Sequence, residues 1–331
     1  MELIKTIELK CGQTYLLKLE DGNVLEVGDV FMSREKGYGT RPYYFSDFEN
    51  PCDEEKRVMT VCTMAGCPCG CRFCASRKSF ERNLTADEIV GQVDFMLKNG
   101  LERGRNGDPN NSKEFRVLYT RMGEPMINID NVMESIRTLI SKYPHVIIGM
   151  STPGYKSAMD KILEDKELAK HLDFQFSLHS TSDEERNYLF DASLGGERFN
   201  IAQICEYAEK LYQVTKKQVS LNVILLDGYE YDFSKIAKLV DPKHIWLRLS
   251  PWNLVETSED EYGFKGLLKL EDVVAKKPVS SQKLKDIINQ IENLGIAYAY
   301  APAIDEEIKN NVACGQALEA FKKELAETSL K

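Results

Sequence analysis

Residues 57–76 read RVMTVCTMAGCPCGCRFCAS, a short apolar run that breaks into a loop with four cysteines in eight positions, Cys67 to Cys74. The whole chain of 331 residues has nine cysteines, so nearly half of them crowd onto this loop. Nine is odd, the crowding is local, and the N-terminal MELIKTIELKCG lacks the apolar core of an export signal. A disulfide framework is therefore a poor explanation, and a reducing cytoplasm is the expected setting. Cys67, Cys71 and Cys74 form C-x3-C-x2-C with Phe73 ahead of the third thiol, and Cys69 inside the loop. Structural zinc takes four ligands in two separated pairs, or two cysteines with two histidines, whereas here there is one compact loop and four histidines in all. Three thiolates on one loop better suit a cubane iron–sulfur cluster with one iron open to a ligand. Cys69 remains open as a fourth ligand.

Outward from that loop, the chain alternates strands with helices. The apolar runs RVMTV, FRVLYT, HVIIGMS, DFQFSLH, VSLNVILL, HIWLRLS and IAYAYA predict parallel strands. Between them, LTADEIVGQVDFMLKNG opens on a Thr85-x-x-Glu88 capping box and stops at Gly100. STSDEERNYLF starts at Ser182-x-x-Glu185, and SSQKLKDIINQIENLG ends at Gly295. About six βα units predict an α/β fold, a partial (β/α)6 barrel. Residues 1–50 read as a small β appendage, because TYLLKLEDGNVLEVGDVFM holds two alternating runs about an Asp21-Gly22-Asn23 turn. The expected division is 1–50 for that segment, 51–305 for the barrel and 306–331 for a C-terminal loop and helix. The cysteine loop, RMGEP, STPG, SLHS, Asp227-Gly228 and PWN all fall where a strand gives way to a loop. In a parallel sheet these carboxyl ends share one face, where ligands bind.

Composition narrows the options. A net charge of −9 argues against a surface that coats nucleic acid indiscriminately, though Arg103, Arg105, Arg116 and Arg121 leave room for a local basic rim. No stretch approaches the ~18 apolar residues of a membrane helix.

C-x3-C-x2-C with an aromatic before its last cysteine, at the first strand of a βα barrel, resembles the radical S-adenosylmethionine (SAM) enzymes. FERNLTADEIVGQV, MGEPMIN, MSTPG, FSLHS-x2-DEER, VILLDG, LSPWN and ACGQA occur in the order seen in the adenine-methylating members, the RlmN/Cfr family, and span roughly 57–317. The resemblance implies a [4Fe–4S] cluster on Cys67, Cys71 and Cys74, with SAM chelated at the open iron. It implies SAM contacts at Gly123 and Glu124, Ser151, Ser177, Leu178 and His179, and Asn253. It further implies an electron donor such as flavodoxin or ferredoxin, and RNA, rRNA or tRNA, as substrate.

By the same resemblance Cys314 in ACGQ matches the methyl-carrying cysteine. The adenine carbons methylated by this family are electrophilic, so direct transfer of a cationic methyl fails. One SAM methylates the thiolate, a second supplies a radical that abstracts hydrogen from the S-methyl group, and the methylene radical adds to the ring. A partner thiol then breaks the protein–base adduct while a base removes the ring proton. Glu26 aligns with the proton acceptor. Cys62, five residues before Cys67 where the family has seven, is the candidate resolving thiol, with Cys69 the alternative. Arg121 stands where the family has glycine, which would place a cation near SAM or a phosphate. The helical N-terminal domain used by the ribosomal RNA enzymes is expected to be missing. Two other readings stay open: a radical SAM enzyme for a nucleotide, small metabolite or peptide, and a non-catalytic iron–sulfur or zinc module.

Overall fold

The computed structural model describes residues 1–9, 12–32, 56–77, 79–102, 109, 112–191, 193–252, 261–267, 282–300 and 316–329. Three antiparallel strands open the chain: β1 (Glu2–Leu9), β2 (Gly12–Lys18) and β3 (Val24–Met32). The turn between the last two is the expected one. Gly22 takes φ +91° and the Asp21 side chain accepts from the Asn23 N–H at 3.0 Å. Strand β4 (Lys56–Val61) pairs antiparallel with β3, so the N-terminal segment is the continuation of the main sheet rather than a separate appendage.

From β4 the sheet turns parallel. The small hairpin β5 (Met64–Ala65) and β6 (Arg82–Asn83) closes the base of the cysteine loop. Helix α1 (Ala86–Glu102) then leads to β7 (Glu114–Tyr119), and α2 (Ile129–Lys142) to β8 (Ile147–Thr152). Next come α3 (Lys156–Glu164), α4 (Lys166–Lys170) and β9 (Leu172–Ser177), then α5 (Asp183–Phe190), α6 (Ile201–Thr215) and β10 (Val219–Leu225). Short α7 (Ser234–Ala237) precedes β11 (Ile245–Pro251), α8 (Gln282–Asn293) precedes β12 (Ala297–Tyr300), and α9 (Gln316–Ser329) ends the described chain. The ten strands lie in the order β1-β2-β3-β4-β7-β8-β9-β10-β11-β12, the last seven all parallel. Six strand-to-helix units and a closing strand match the sequence expectation. No helix among the described residues is long and apolar enough to cross a membrane.

Alternation along each strand sorts the two faces. On β9, Phe174 and Phe176 are buried, and Phe176 meets Phe199, which in turn packs on Tyr207 of α6. The intervening Asp173, Gln175 and Ser177 are half-buried on the opposite face. There Gln175 donates to Ser151 Oγ at 2.9 Å and accepts from Ser220 Oγ at 3.3 Å, a polar ladder across three strands.

Helix caps follow the sequence. Glu88 and Thr85 exchange side-chain and backbone bonds at 2.9 and 3.2 Å, and Ser182 accepts from the Glu185 N–H. Helix α1 does not stop at Gly100 but runs to Glu102. A Cβ at Gly100 would meet Arg57 Nη2 at 2.9 Å, so that glycine serves close packing against the sheet instead of termination.

Candidate cluster and cofactor site

The cysteine loop leaves the carboxyl end of β4 and packs against the chain that follows β9. Arg72 N–H bonds to Leu189 O at 2.8 Å, and Trp252 Nε1, just after β11, donates to Phe73 O at 3.3 Å. Phe73 lies edge-on to His179 at 4.8 Å and to Phe190 at 5.5 Å. The aromatic residue of the cysteine motif is thus the contact between the loop and the ends of β9, α5 and β11.

The loop's base is tight. Gly66 has φ +72°, and a Cβ there would lie 1.8 Å from the carbonyl oxygen of Ser79. Gly66→Ala should therefore open the base of the loop, at about 1–3 kcal/mol of local strain. The expected result is fewer irons and sulfides per chain after anaerobic reconstitution; full loading would refute it.

Cys67 and Cys69 are buried, while Cys71 and Cys74 are half-buried; all six described cysteines are free thiols. Hydrogen bonding to Cys69 and burial push the Cys67 and Cys71 thiols up, and the nearby Cys74 charge adds to this. Cys69, bonded by those two thiols and 3.6 Å from the Tyr155 hydroxyl, is drawn down. Among the described residues, no group of three or more His, Cys, Asp or Glu side chains is spaced to hold a single metal ion. Four thiols gathered on one loop, with Cys69 bonded to both Cys67 and Cys71, are a donor set that fits an iron–sulfur cluster.

Around the loop stand the other strand ends. Glu124, just past β7, is buried with its Oε1 accepting from Thr152 Oγ1 at 2.6 Å and from the Met126 N–H at 3.0 Å. Burial, then the Cys69 charge, pushes the Glu124 carboxyl up to about 8. Gly123 takes φ +101°, and its bare Cα lies against Thr63 and Met64. Ser151 and Ser177 present hydroxyls 3.4 Å apart from the adjacent ends of β8 and β9. Leu178 is fully buried, with its N–H on Asn222 O and its carbonyl held by Arg186 at 2.6 Å.

His179 has φ +60° and accepts from the Ile224 N–H through Nδ1 at 3.3 Å, which leaves its proton on Nε2. Burial, helped by the Arg186 charge, lowers it to about 3, so the ring is neutral. Stacked on Phe190 at 5.4 Å, His179 braces β9 against β10 and the cysteine loop.

Several residues here carried no spacing signal. Arg186 is buried and donates to four carbonyls: Ser177 at 2.5, Leu178 at 2.6, Pro153 at 3.2 and Phe199 at 3.1 Å. Arg198 donates to the Tyr155 hydroxyl at 3.3 Å, beside Cys69. Arg186 ends the quoted DEER motif and Arg198 lies in none, and only the fold reveals their acceptors.

A second group gathers between the N-terminal strands and α9. Arg121 Nη1 donates to Glu26 Oε1 at 2.5 Å, so the guanidinium pairs with a carboxylate instead of standing free near a phosphate. Arg116 likewise pairs with Asp173 at 2.7 Å; Arg103 and Arg105 lie outside the described residues. Cys62, fully buried at the end of β4, donates its thiol to Glu26 O at 3.0 Å, and burial pushes it up to about 12. The Leu318 N–H, in the first turn of α9, donates to Glu26 Oε2 at 3.1 Å. Asn253 and Cys314 lie outside the described residues.

No protein-family model matches the chain. Curated relatives do. The chain is 32% identical over 253 residues to a probable dual-specificity RNA methyltransferase RlmN of Heliobacterium modesticaldum, covering 73% of this chain and 58% of that one. It is 29% identical over 247 residues to one of Pseudothermotoga lettingae, covering 72% and 61%. Thus the chain spans about three fifths of the length of these relatives. The solved structure of a radical SAM methyltransferase from Sphaerobacter thermophilus superposes with TM-score 0.69 at 20% identity, over 95% of this chain and 80% of that one, which shows a shared fold. The cysteine loop, the strand-end motifs and these relatives agree: the chain is similar to the RlmN RNA methyltransferases over about three fifths of their length.

Proposed function

We propose that this protein is a radical SAM methyl synthase that methylates an sp2 carbon of adenine in RNA through S-methylated Cys314. The observation that carries the reading is the bond from Leu318 N–H to Glu26 Oε2 at 3.1 Å. It joins the helix that begins two residues after Cys314 to the strand bearing the proton acceptor, and Cys62 lies against that same strand.

Cys67, Cys71 and Cys74 would hold a [4Fe–4S] cluster, which would supply the electron for cleavage of SAM to methionine and a 5′-deoxyadenosyl radical when reduced by a donor such as flavodoxin or ferredoxin. Glu124 is suited to the SAM ammonium: burial raises its carboxyl, and an arriving cation favours ionisation there. Ser151 and Ser177 offer paired hydroxyls to the same cofactor, and the resemblance adds Gly123, Leu178, His179 and Asn253. In the first half-reaction the Cys314 thiolate displaces the SAM methyl, leaving S-adenosylhomocysteine. In the second, the methyl carried on Cys314 loses a hydrogen atom and bonds to the ring carbon. The ring would then lose its proton to Glu26 and its unpaired electron back to the cluster, after which the Cys62 thiol would attack the Cys314 sulfur, closing a Cys62–Cys314 disulfide as the S–CH2 bond breaks and the released carbon takes up a proton to become the methyl group.

The test is mass spectrometry of the Cys314 peptide after anaerobic reconstitution and incubation with SAM. The expected result is a gain of one methyl group, lost in Cys314→Ala. Cleavage of SAM to 5′-deoxyadenosine with Cys314 unmodified would mean a radical SAM enzyme for another substrate.

A further inference from the structure

We infer that Arg121 is a positioning residue: it aims the Glu26 carboxylate at the amino end of α9 and thereby sets where that helix, which follows Cys314 in sequence, begins. The inference rests on the methyl-synthase reading for its functional consequence, but its geometry stands independently.

The guanidinium sits in a built slot. A Cβ at Gly28 would lie 2.7 Å from Arg121 Nη2 and 2.8 Å from Thr60 Oγ1, so the bare glycine is what admits the arginine. Gly28 faces Thr60 across the β3–β4 pair, and Thr60 Oγ1 accepts from Arg121 Nε at 2.8 Å. With Nε fixed on Thr60, Nη1 reaches Glu26 Oε1 at 2.5 Å, two residues before Gly28 on the same face of β3. Glu26 is fully buried and the Arg121 side chain nearly so. A charge-assisted pair in such surroundings holds one geometry strongly. The carboxylate plane is then set, and its second oxygen meets the Leu318 N–H, one of the helix-terminal donors that has no partner within its own helix. A negative group at a helix amino end is also favoured by the helix dipole.

Further contacts run along the same helix. Lys5 of β1 pairs with Glu324 at 2.7 Å and lies 5.8 Å from the Phe321 ring centroid. These exposed contacts lay α9 on the N-terminal strands, whereas the buried Arg121–Glu26 pair fixes its first turn. The proton acceptor is thus also the residue that seats the helix following the methyl carrier. Arg121 acts through Glu26.

The test compares wild type, Arg121→Gln, Arg121→Lys and Glu26→Gln by hydrogen exchange in the 316–320 peptide, using the reconstituted full chain without SAM or RNA. Arg121→Gln and Glu26→Gln should each exchange about tenfold faster there, as expected for loss of one charge-assisted bond. The double variant should be no faster than either single one, since the two act through one contact. Arg121→Lys, which keeps the charge beside Glu26 but not the second bond to Thr60, should restore part of the protection, and peptides of β9 and β10 should match wild type in every variant. Unchanged exchange in Arg121→Gln, or effects that multiply in the double variant, would overturn the inference. In turnover, methylated adenine formed per 5′-deoxyadenosine should fall in Arg121→Gln and recover in Arg121→Lys. An unmoved ratio would leave Arg121 structural only and also overturn the positioning role. If wild type never S-methylates Cys314, the functional reading fails, while the exchange result still decides the contact.

Discussion

Cys71→Ala is expected to reduce 5′-deoxyadenosine formation from SAM to the protein-free background, and to leave little bound iron, while Cys69→Ala keeps its iron. The loop from Cys67 to Cys74 carries four thiols, and their coupling alone does not say which three bind. Cys69 faces Tyr155 at 3.6 Å, and a Cβ on Gly195 would come 3.0 Å from its sulfur, so protein closes round it. Cys71 and Cys74 are half-buried, which separates them from Cys69, whereas Cys67 is buried like Cys69 and is set apart only by its place in the C-x3-C-x2-C motif. Iron and sulfide analysis of the two variants after identical anaerobic reconstitution checks this. Loss of iron in Cys69→Ala would make that residue a fourth ligand and close the site to SAM.

Arg57→Met is expected to destabilise the fold by about 3–5 kcal/mol, the usual cost of stranding one member of a buried ion pair. Arg57 and Asp29 are both fully buried and meet in two bonds, Nε to Oδ1 at 3.0 Å and Nη2 to Oδ2 at 2.6 Å. They join β4 to β3, where the parallel sheet meets the antiparallel strands. Truncating the arginine leaves the Asp29 carboxylate in an apolar interior without its counter-charge. The double change Arg57→Met with Asp29→Leu removes both charges and should recover most of the loss. Denaturant unfolding of the three proteins decides it; equal stability of the single and double variants would show that the pair is not what matters.

The legible part of this molecule was local. Seven strands announced themselves as apolar runs, and the six loops after them followed from where those runs stop. The capping boxes at Thr85 and Ser182 were equally visible, because each involves side chains three residues apart. Strand β1 was not visible: ELIKTIEL is a mostly half-exposed edge strand, with little apolar contrast between its faces. The end of α1 was misread because Gly100 looks like a stop until Arg57 is seen packed against it. Nor could sequence show that Arg121 meets Glu26, 95 residues away, or that Glu26 meets Leu318, 292 residues away. Such contacts depend on which strands become neighbours, and the β3–β4 pairing that creates them was read as a domain boundary.

Arg186 has a consequence for ligand affinity. Its four carbonyl acceptors come from the end of β9, from Pro153 after β8 and from Phe199 before α6. One guanidinium thus ties three separate chain segments at the rim where Ser151 and Ser177 stand. The conformational entropy of those segments is lost when the protein folds, not when a ligand arrives. A cofactor settling on this rim keeps more of its contact energy as affinity, because the surface that receives it is already ordered.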